Sequence, residues 1–368
     1  MVGLEVGTTA VTSSAGSVAP IDALAPRDLL HRVSRGSPFV RLEGAGHKLR
    51  CIHEIFAEVV GDAVTALDPD GEGPIALAVP GWWSPRTLDL LAESFVRQER
   101  PILFVNDAEA AVVEARASGI DLPDSVAVVS VRASHTSIVI VSGSDGHPRA
   151  KLNPTRVLDE GAQRLDVSVL QHLLTGLREL GDSVDPSDAE VVVAARAMLE
   201  QCRSLRESLS ARASESLQPS LPGIDRRVLL VRSELEEIAS AWADAMIEMV
   251  QTALDETEEE VGTVLLVGGM AAMPLVSQRL SADLGLEVVV PDEPHQTAVR
   301  GAELIAARQA PVGRTAALWA GLKARAADLL HRPVLQLGGQ RISDERPVLT
   351  FSHVRESETA PAGRLANR

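Results

Sequence analysis

The sequence predicts an α/β fold made of two similar halves around a cleft, and three observations carry that reading. Strand-like apolar runs alternate with helix-like segments across residues 2–309. Strand–turn–strand units open at residue 2 and again at residue 125, and each leads into further alternation. Of the 368 residues 45% are apolar, enough for a large core, whereas 2% are aromatic and none is Tyr. The core must therefore be Val, Leu, Ile and Ala.

Taken in order, residues 2–12 read as a strand with a Gly-Thr-Thr turn, and 16–46 show no clear period. A helix is predicted over 47–67, ending before an Asp-Pro-Asp-Gly turn at 68–71. GPIALAVPGWW (73–83) reads as a buried strand, after which Ser84 and Pro85 open a helix to about residue 98. A strand at 101–107 and a helix at 108–119, closed by Gly119, complete the first half. In the second half, strands at 125–131 and 136–143 form a hairpin, followed by a turn at 144–146. Helices are predicted at 159–180, 187–212, 232–256 and 297–309, with strands at 226–231, 263–270 and 286–294. From 310 the periodicity weakens, and 353–368 reads as a polar, disordered tail.

Composition excludes several function classes. A net charge of -16 repels phosphate backbones, and the scarcity of aromatics leaves little to stack bases on, so nucleic acid and anionic membrane are poor partners. Two cysteines far apart, Cys51 and Cys202, suit a reduced cytoplasmic setting and exclude a disulfide framework. The opening MVGLEVGTTAV reads as a strand rather than a signal peptide. No apolar run approaches the roughly 18–20 residues that span a bilayer, so a soluble protein without membrane insertion is expected.

Two segments carry candidate chemistry. In GLEVGTT (3–9), a strand delivers the Glu5 carboxylate, then Gly7, Thr8 and Thr9. Glycine permits close backbone approach, hydroxyls and amides bond phosphate oxygens, and a carboxylate holds a hydrated Mg²⁺. The same residues would also serve an ordinary hairpin turn. In VLLVGGMAAMPLVSQRL (264–280), a buried strand runs into Gly268 and Gly269 before a helix, an arrangement that suits a flat ligand or a plain strand-to-helix turn. His47 and His53 lack completing ligands, Glu256, Glu258, Glu259 and Glu260 read as a solvated helix end, and Trp82 with Trp83 reads as core packing. No Walker-type loop, dinucleotide glycine fingerprint or nucleophile elbow occurs.

In this order and spacing, the segments resemble the nucleotide-binding domain of the DnaK heat-shock family over roughly residues 2–309. GLEVGTT is similar to that family's first phosphate loop, with Glu5 where aspartate is usual. ALAVPGWWSPRTLDLLAESF (76–95), NDAEAAV (106–112) and PDEPHQTAVRGAEL (291–304) resemble its Val-Pro strand, connecting segment and closing helix. The 264–280 segment resembles the adenosine loop, and within CRSLRESLS (202–210) the resemblance places Arg206 and Ser210 near purine and ribose.

The resemblance implies an actin-like bilobed domain, two ribonuclease H-like lobes around a cleft. Lobe I would be 1–124 and lobe II 125–290, with a helical subdomain at about 187–230. A closing helix at 291–310 would return to lobe I, leaving a partly disordered extension at 311–368. It also implies ATP or ADP with Mg²⁺ as cofactor. Glu5 would be the metal residue, and Gly7, Thr8, Thr9, Arg206, Ser210, Gly268, Gly269 and Met270 the nucleotide-binding set.

The sequence departs from the family where its second phosphate loop, Asp-Leu-Gly-Gly-Gly-Thr-Phe-Asp, should stand. Here it reads SVRASHTS (130–137), without the glycines or carboxylates. Asp107 and Ala108 replace a usual Glu-Pro, and Arg203 replaces a usual Glu. Arg132 and His135 either bind phosphate in place of a metal or record drift after hydrolysis was lost. No peptide-binding β-sandwich is expected after the domain. The expectation is a degenerate pseudo-ATPase that serves as a protein-binding or regulatory scaffold, with an active Mg²⁺-ATPase as the rival. The group it resembles includes actinobacterial proteins, some associated with type VII secretion.

Overall fold

The computed structural model describes residues 1–309 except 9, 22–27, 36–38, 42–48, 72, 96–99, 144–147 and 180–187. Thr9, His47, the turn at 144–146 and the extension at 311–368 thus lie outside the described residues.

Two five-stranded sheets share one topology. In the first, β1 (Val2–Val6), β2 (Ala10–Ser13) and β3 (Val18–Pro20) are antiparallel, and β6 (Ile75–Val79) and β7 (Ile102–Asn106) run parallel to β1 in the order β3-β2-β1-β6-β7. In the second, β8 (Ser125–Val131), β9 (Thr136–Ser142) and β10 (Arg149–Leu158) are antiparallel, and β13 (Thr263–Val267) and β14 (Glu287–Val289) are parallel to β8 in the order β10-β9-β8-β13-β14. Every residue of β1, β6 and β13 is buried. Continuous apolar runs of that kind mark strands covered on both faces.

Helices supply the covers. The outer face of the first sheet packs on α1 (Leu29–Ser34), α2 (Ile52–Leu67) and α3 (Pro85–Ser94). The outer face of the second packs on α5 (Ala162–Glu179), α6 (Ala189–Ala211), α7 (Arg232–Glu256) and α8 (Pro274–Leu284). Between the sheets lie α4 (Asp107–Ala117) and α9 (Thr297–Gln309). Ala110 of α4 meets Ala302 and Ala306 of α9 over Ala76, Ala78 and Val105 of the first sheet. Ala108, Ala111, Val112 and Ala115 of the same helix pack on Val126, Val128, Val139 and Leu265 of the second. A helix buried on nearly every side needs small residues, and apart from Asp107 the buried side chains of α4 are all Ala and Val.

Local chemistry starts these helices where the sequence says it should. The Ser84 hydroxyl accepts from the Thr87 amide ahead of α3, with Pro85 in the first helical position. The Asn106 side chain accepts from the amides of Ala108 and Glu109 at 3.0 and 3.2 Å, capping α4. Hairpin β8–β9 and helices α7 and α9 match the sequence expectation closely.

Other parts differ from it. The helix expected over 47–67 begins at Ile52, because Leu49–Cys51 form β5 against β4 (Phe39–Arg41). The unperiodic stretch 16–46 contributes β3, α1 and β4. Strand β10 is absent from the sequence expectation, since Pro154 and a register shift between Ala150 and Thr155 break its alternation. Likewise β11 (Ser214–Leu217), a Ser-Glu-Ser-Leu segment, pairs with β12 (Val228–Val231) without an apolar run of its own. Glu256 and Glu259 lie at a solvent-accessible helix end, as expected, where they also pair with Arg156 and Lys151 of β10.

Candidate functional site

The ends of β1, β7 and β8 bring three charged groups from distant parts of the sequence into one buried place. Glu5 is the last residue but one of β1, Asp107 begins α4, and Arg132 follows β8. The Arg132 guanidinium pairs with Glu5 through Nη1 and with Asp107 through Nη2, the latter at 3.0 Å. Its Nε donates to the Ser130 hydroxyl at 2.9 Å, and the second Asp107 oxygen accepts from the Gly81 amide at 2.7 Å. Burial pushes both carboxyls above the usual carboxylate range, and Arg132 opposes that rise. Two carboxylates thus share one guanidinium, leaving a net charge of one unit.

The hairpin expected at GLEVGTT is present: the Gly7 amide donates to the Ala10 carbonyl at 2.8 Å, and Thr8 is half-buried beside it. At the end of β13, Gly268 has φ +95°, a region that favours glycine. A Cβ there would lie 2.4 Å from the Val131 carbonyl oxygen, so glycine lets β13 close against β8 at the loop. Gly269 and Met270 then form a short 3-10 turn, Gly269–Ala272, before α8.

Beside this point lies a cleft of about 290 Å³, lined by residues of the β8–β9 loop, α5, α6 and the 3-10 turn. Arg206, Gly269 and Met270 line it, joined by Asp166, Gln163 and Arg203. Arg206 is buried and its Nε donates to Asp166 at 2.7 Å, while Nη1 lies 3.3 Å from the Met270 sulfur. Burial raises the Asp166 carboxyl above its usual range against the pull of Arg206. Ser210 lies one helical turn beyond, donates to the Arg206 carbonyl at 3.1 Å, and is not among the lining residues.

Two partners escape sequence reasoning: Asp107 as a shared acceptor for Arg132, and Asp166 as the counter-ion of Arg206. For the first, the sequence offers only the residue types, acids at 5 and 107 and an arginine at 132, and their meeting is set by the fold.

A family model described as Hsp70 protein matches residues 102–316, more than half of the chain. The chain belongs to the Hsp70 family. Its architecture is accordingly the actin-like, DnaK-like nucleotide-binding fold. Among curated relatives, it is similar to a heat shock protein homolog of Saccharomyces cerevisiae, with 24% identity over 75% of this chain and 41% of that one. Heat shock protein hsp88 of Neurospora crassa shares 23% over 65% of this chain and 35% of its own. A chaperone protein HscA homolog of Bordetella pertussis shares 27% over 57% of this chain and 38% of its own. The chain therefore spans about two-fifths or less of these relatives' lengths.

The fold family implies a nucleotide with Mg²⁺, and the donors present can be tested against that demand. Glu5 and Asp107 are the right ligand type for a hard cation, but Arg132 engages both. The first amides of α5 are also engaged, Ala162 and Gln163 donating to the carbonyls of Arg132 and Ala133 at 3.0 and 2.9 Å. Among the described residues no group of three or more His, Cys, Asp and Glu is arranged to hold a metal ion. As arranged, these residues do not fit a metal-bound triphosphate. Among the described residues no helix is long and apolar enough to cross a membrane.

Proposed function

We propose that this Hsp70-family domain is a pseudo-ATPase that works as a protein-binding or regulatory scaffold, with weak or absent turnover. One observation carries the reading: the Arg132 guanidinium sits between Glu5 and Asp107, the carboxylates that would serve a metal. Phosphoryl transfer depends on positioned cations and donors around the phosphates, and here those groups satisfy one another. The deciding experiment is phosphate release from ATP with and without Mg²⁺. The scaffold reading expects none above background, and Mg²⁺-dependent release that Glu5→Ala abolishes would sink it.

A second reading, an active Mg²⁺-ATPase with a rearranged loop, draws on the cleft lined by Arg206, Gly269 and Met270. It predicts ATP binding tighter than about 100 μM in calorimetric titration. A cytoplasmic setting accords with the free thiols of Cys51 and Cys202. The proposed partner is another protein rather than nucleic acid, in keeping with the net charge of -16. An actinobacterial source accords with the Tyr-free, Ala-, Val- and Arg-rich composition, and the type VII secretion association rests on the resemblance alone. Cross-linking in the source cell should then capture a secretion component.

A further inference from the structure

The four residues between β8 and β9 do more than turn the chain. The Arg132 amide donates to the His135 carbonyl at 2.9 Å, which closes the loop on itself. Its outer carbonyls accept from the first amides of α5, as above, and a Cβ on Gly161 would lie 2.2 Å from the Arg132 oxygen. The loop is therefore seated on the second half of the molecule by backbone contacts.

From that seat two side chains reach residues of the first half. Arg132 takes Glu5 and Asp107, from β1 and α4. His135, fully buried, meets the edges of His31 and Trp82 with ring centroids 5.6 and 5.5 Å away. His31 stacks on Trp82 at 5.2 Å, and its Nδ1 lies 3.1 Å from Asp159, at the end of β10. Charged and aromatic contacts thus join the halves through one short loop.

We infer that residues 132–135 form a resident, metal-free lock between the two halves, in which the guanidinium occupies a cation position between Glu5 and Asp107. Closure then needs neither a divalent ion nor a phosphate, because the positive charge is carried by the chain. The inference shares its site with the proposed function but concerns the cation rather than turnover. Its corollary is specific. Removing Arg132 leaves two buried carboxylates uncompensated, and a hard divalent ion is the natural replacement.

The test is the thermal midpoint of the full chain titrated with Mn²⁺ against a chelator control. The native midpoint is expected not to move. Arg132→Ala should begin lower and climb with Mn²⁺, with an apparent affinity at least roughly tenfold tighter than native. Adding Glu5→Gln to that variant should abolish the climb. A native midpoint that rises with Mn²⁺ in a Glu5-dependent way overturns the inference, as does a folded Arg132→Ala that ignores Mn²⁺. If that variant stays unfolded at every Mn²⁺ concentration, the native protein decides through amide exchange at Ala162 and Gln163. Their protection should be unchanged by Mg²⁺ and ATP, and its loss would show the loop displaced. Phosphate release without a cation response sinks the scaffold reading and leaves the lock standing; a Glu5-dependent cation response without release does the reverse.

Discussion

His135 stands where the resembled loop carries threonine, and the exchange trades a small hydroxyl for a buried ring. Burial, then the charge of Arg132, then His31 hold the His135 imidazole well below the ordinary value of 6.5. An unfolded chain binds a proton at this ring near pH 6.5 and the folded one does not, so the contribution to stability is present above that pH and lost as pH falls below it. His53, buried on α2 and likewise lowered, adds the same sign. Glu5 and Asp107, raised, act oppositely and favour the fold as pH falls through the upper carboxylate range. A loss of urea stability from about pH 7.5 to about pH 5.5 is expected, and His135→Phe should flatten it by removing one titrating ring. An unchanged slope in that variant would assign the loss elsewhere.

Among elements, α4 has the least tolerance. Ala110 is fully buried against Ala302 and Ala306, so a larger side chain has nowhere to go. Ala110→Leu should cost about 1–3 kcal/mol through overpacking, read from the urea midpoint, and a neutral result would show that α9 can yield. The same helix illustrates what a sequence can display. Its Ala-rich run, closed by Gly119, announces a helix without any clear amphipathic stripe, because both sides are covered. Hairpin β8–β9 is equally plain, as its apolar runs are buried on both faces. By contrast β10 and β11 are held by partners rather than by their own patterns, and nothing local marks them. The ion cluster is less legible still. Glu5, Asp107 and Arg132 are each ordinary where they stand, and only the parallel pairing of β1, β6 and β7 and the approach of β8 bring them together. Read from the sequence, Glu5 suits a metal and Arg132 a phosphate or drift, and nothing local says that they answer each other.

At the scale of the molecule, the sheets are alike in strand order but not independent. The exchange of helices between them has a consequence for how the chain can be divided. Helix α4 comes from the first half yet fills a core with the second sheet, whereas α9 comes from the end of the second half and lies on β1, β6 and β7. Each half thus lends the other a piece of its interior, in the manner of two subunits that have traded arms. A chain cut at the 120–124 connection should give fragments that are each unstructured by circular dichroism and that regain native ellipticity when mixed. Autonomous folding of either fragment would show that the loan is dispensable. If the expectation holds, the domain is a ready-made split reporter whose reassembly is driven by an alanine-lined handshake.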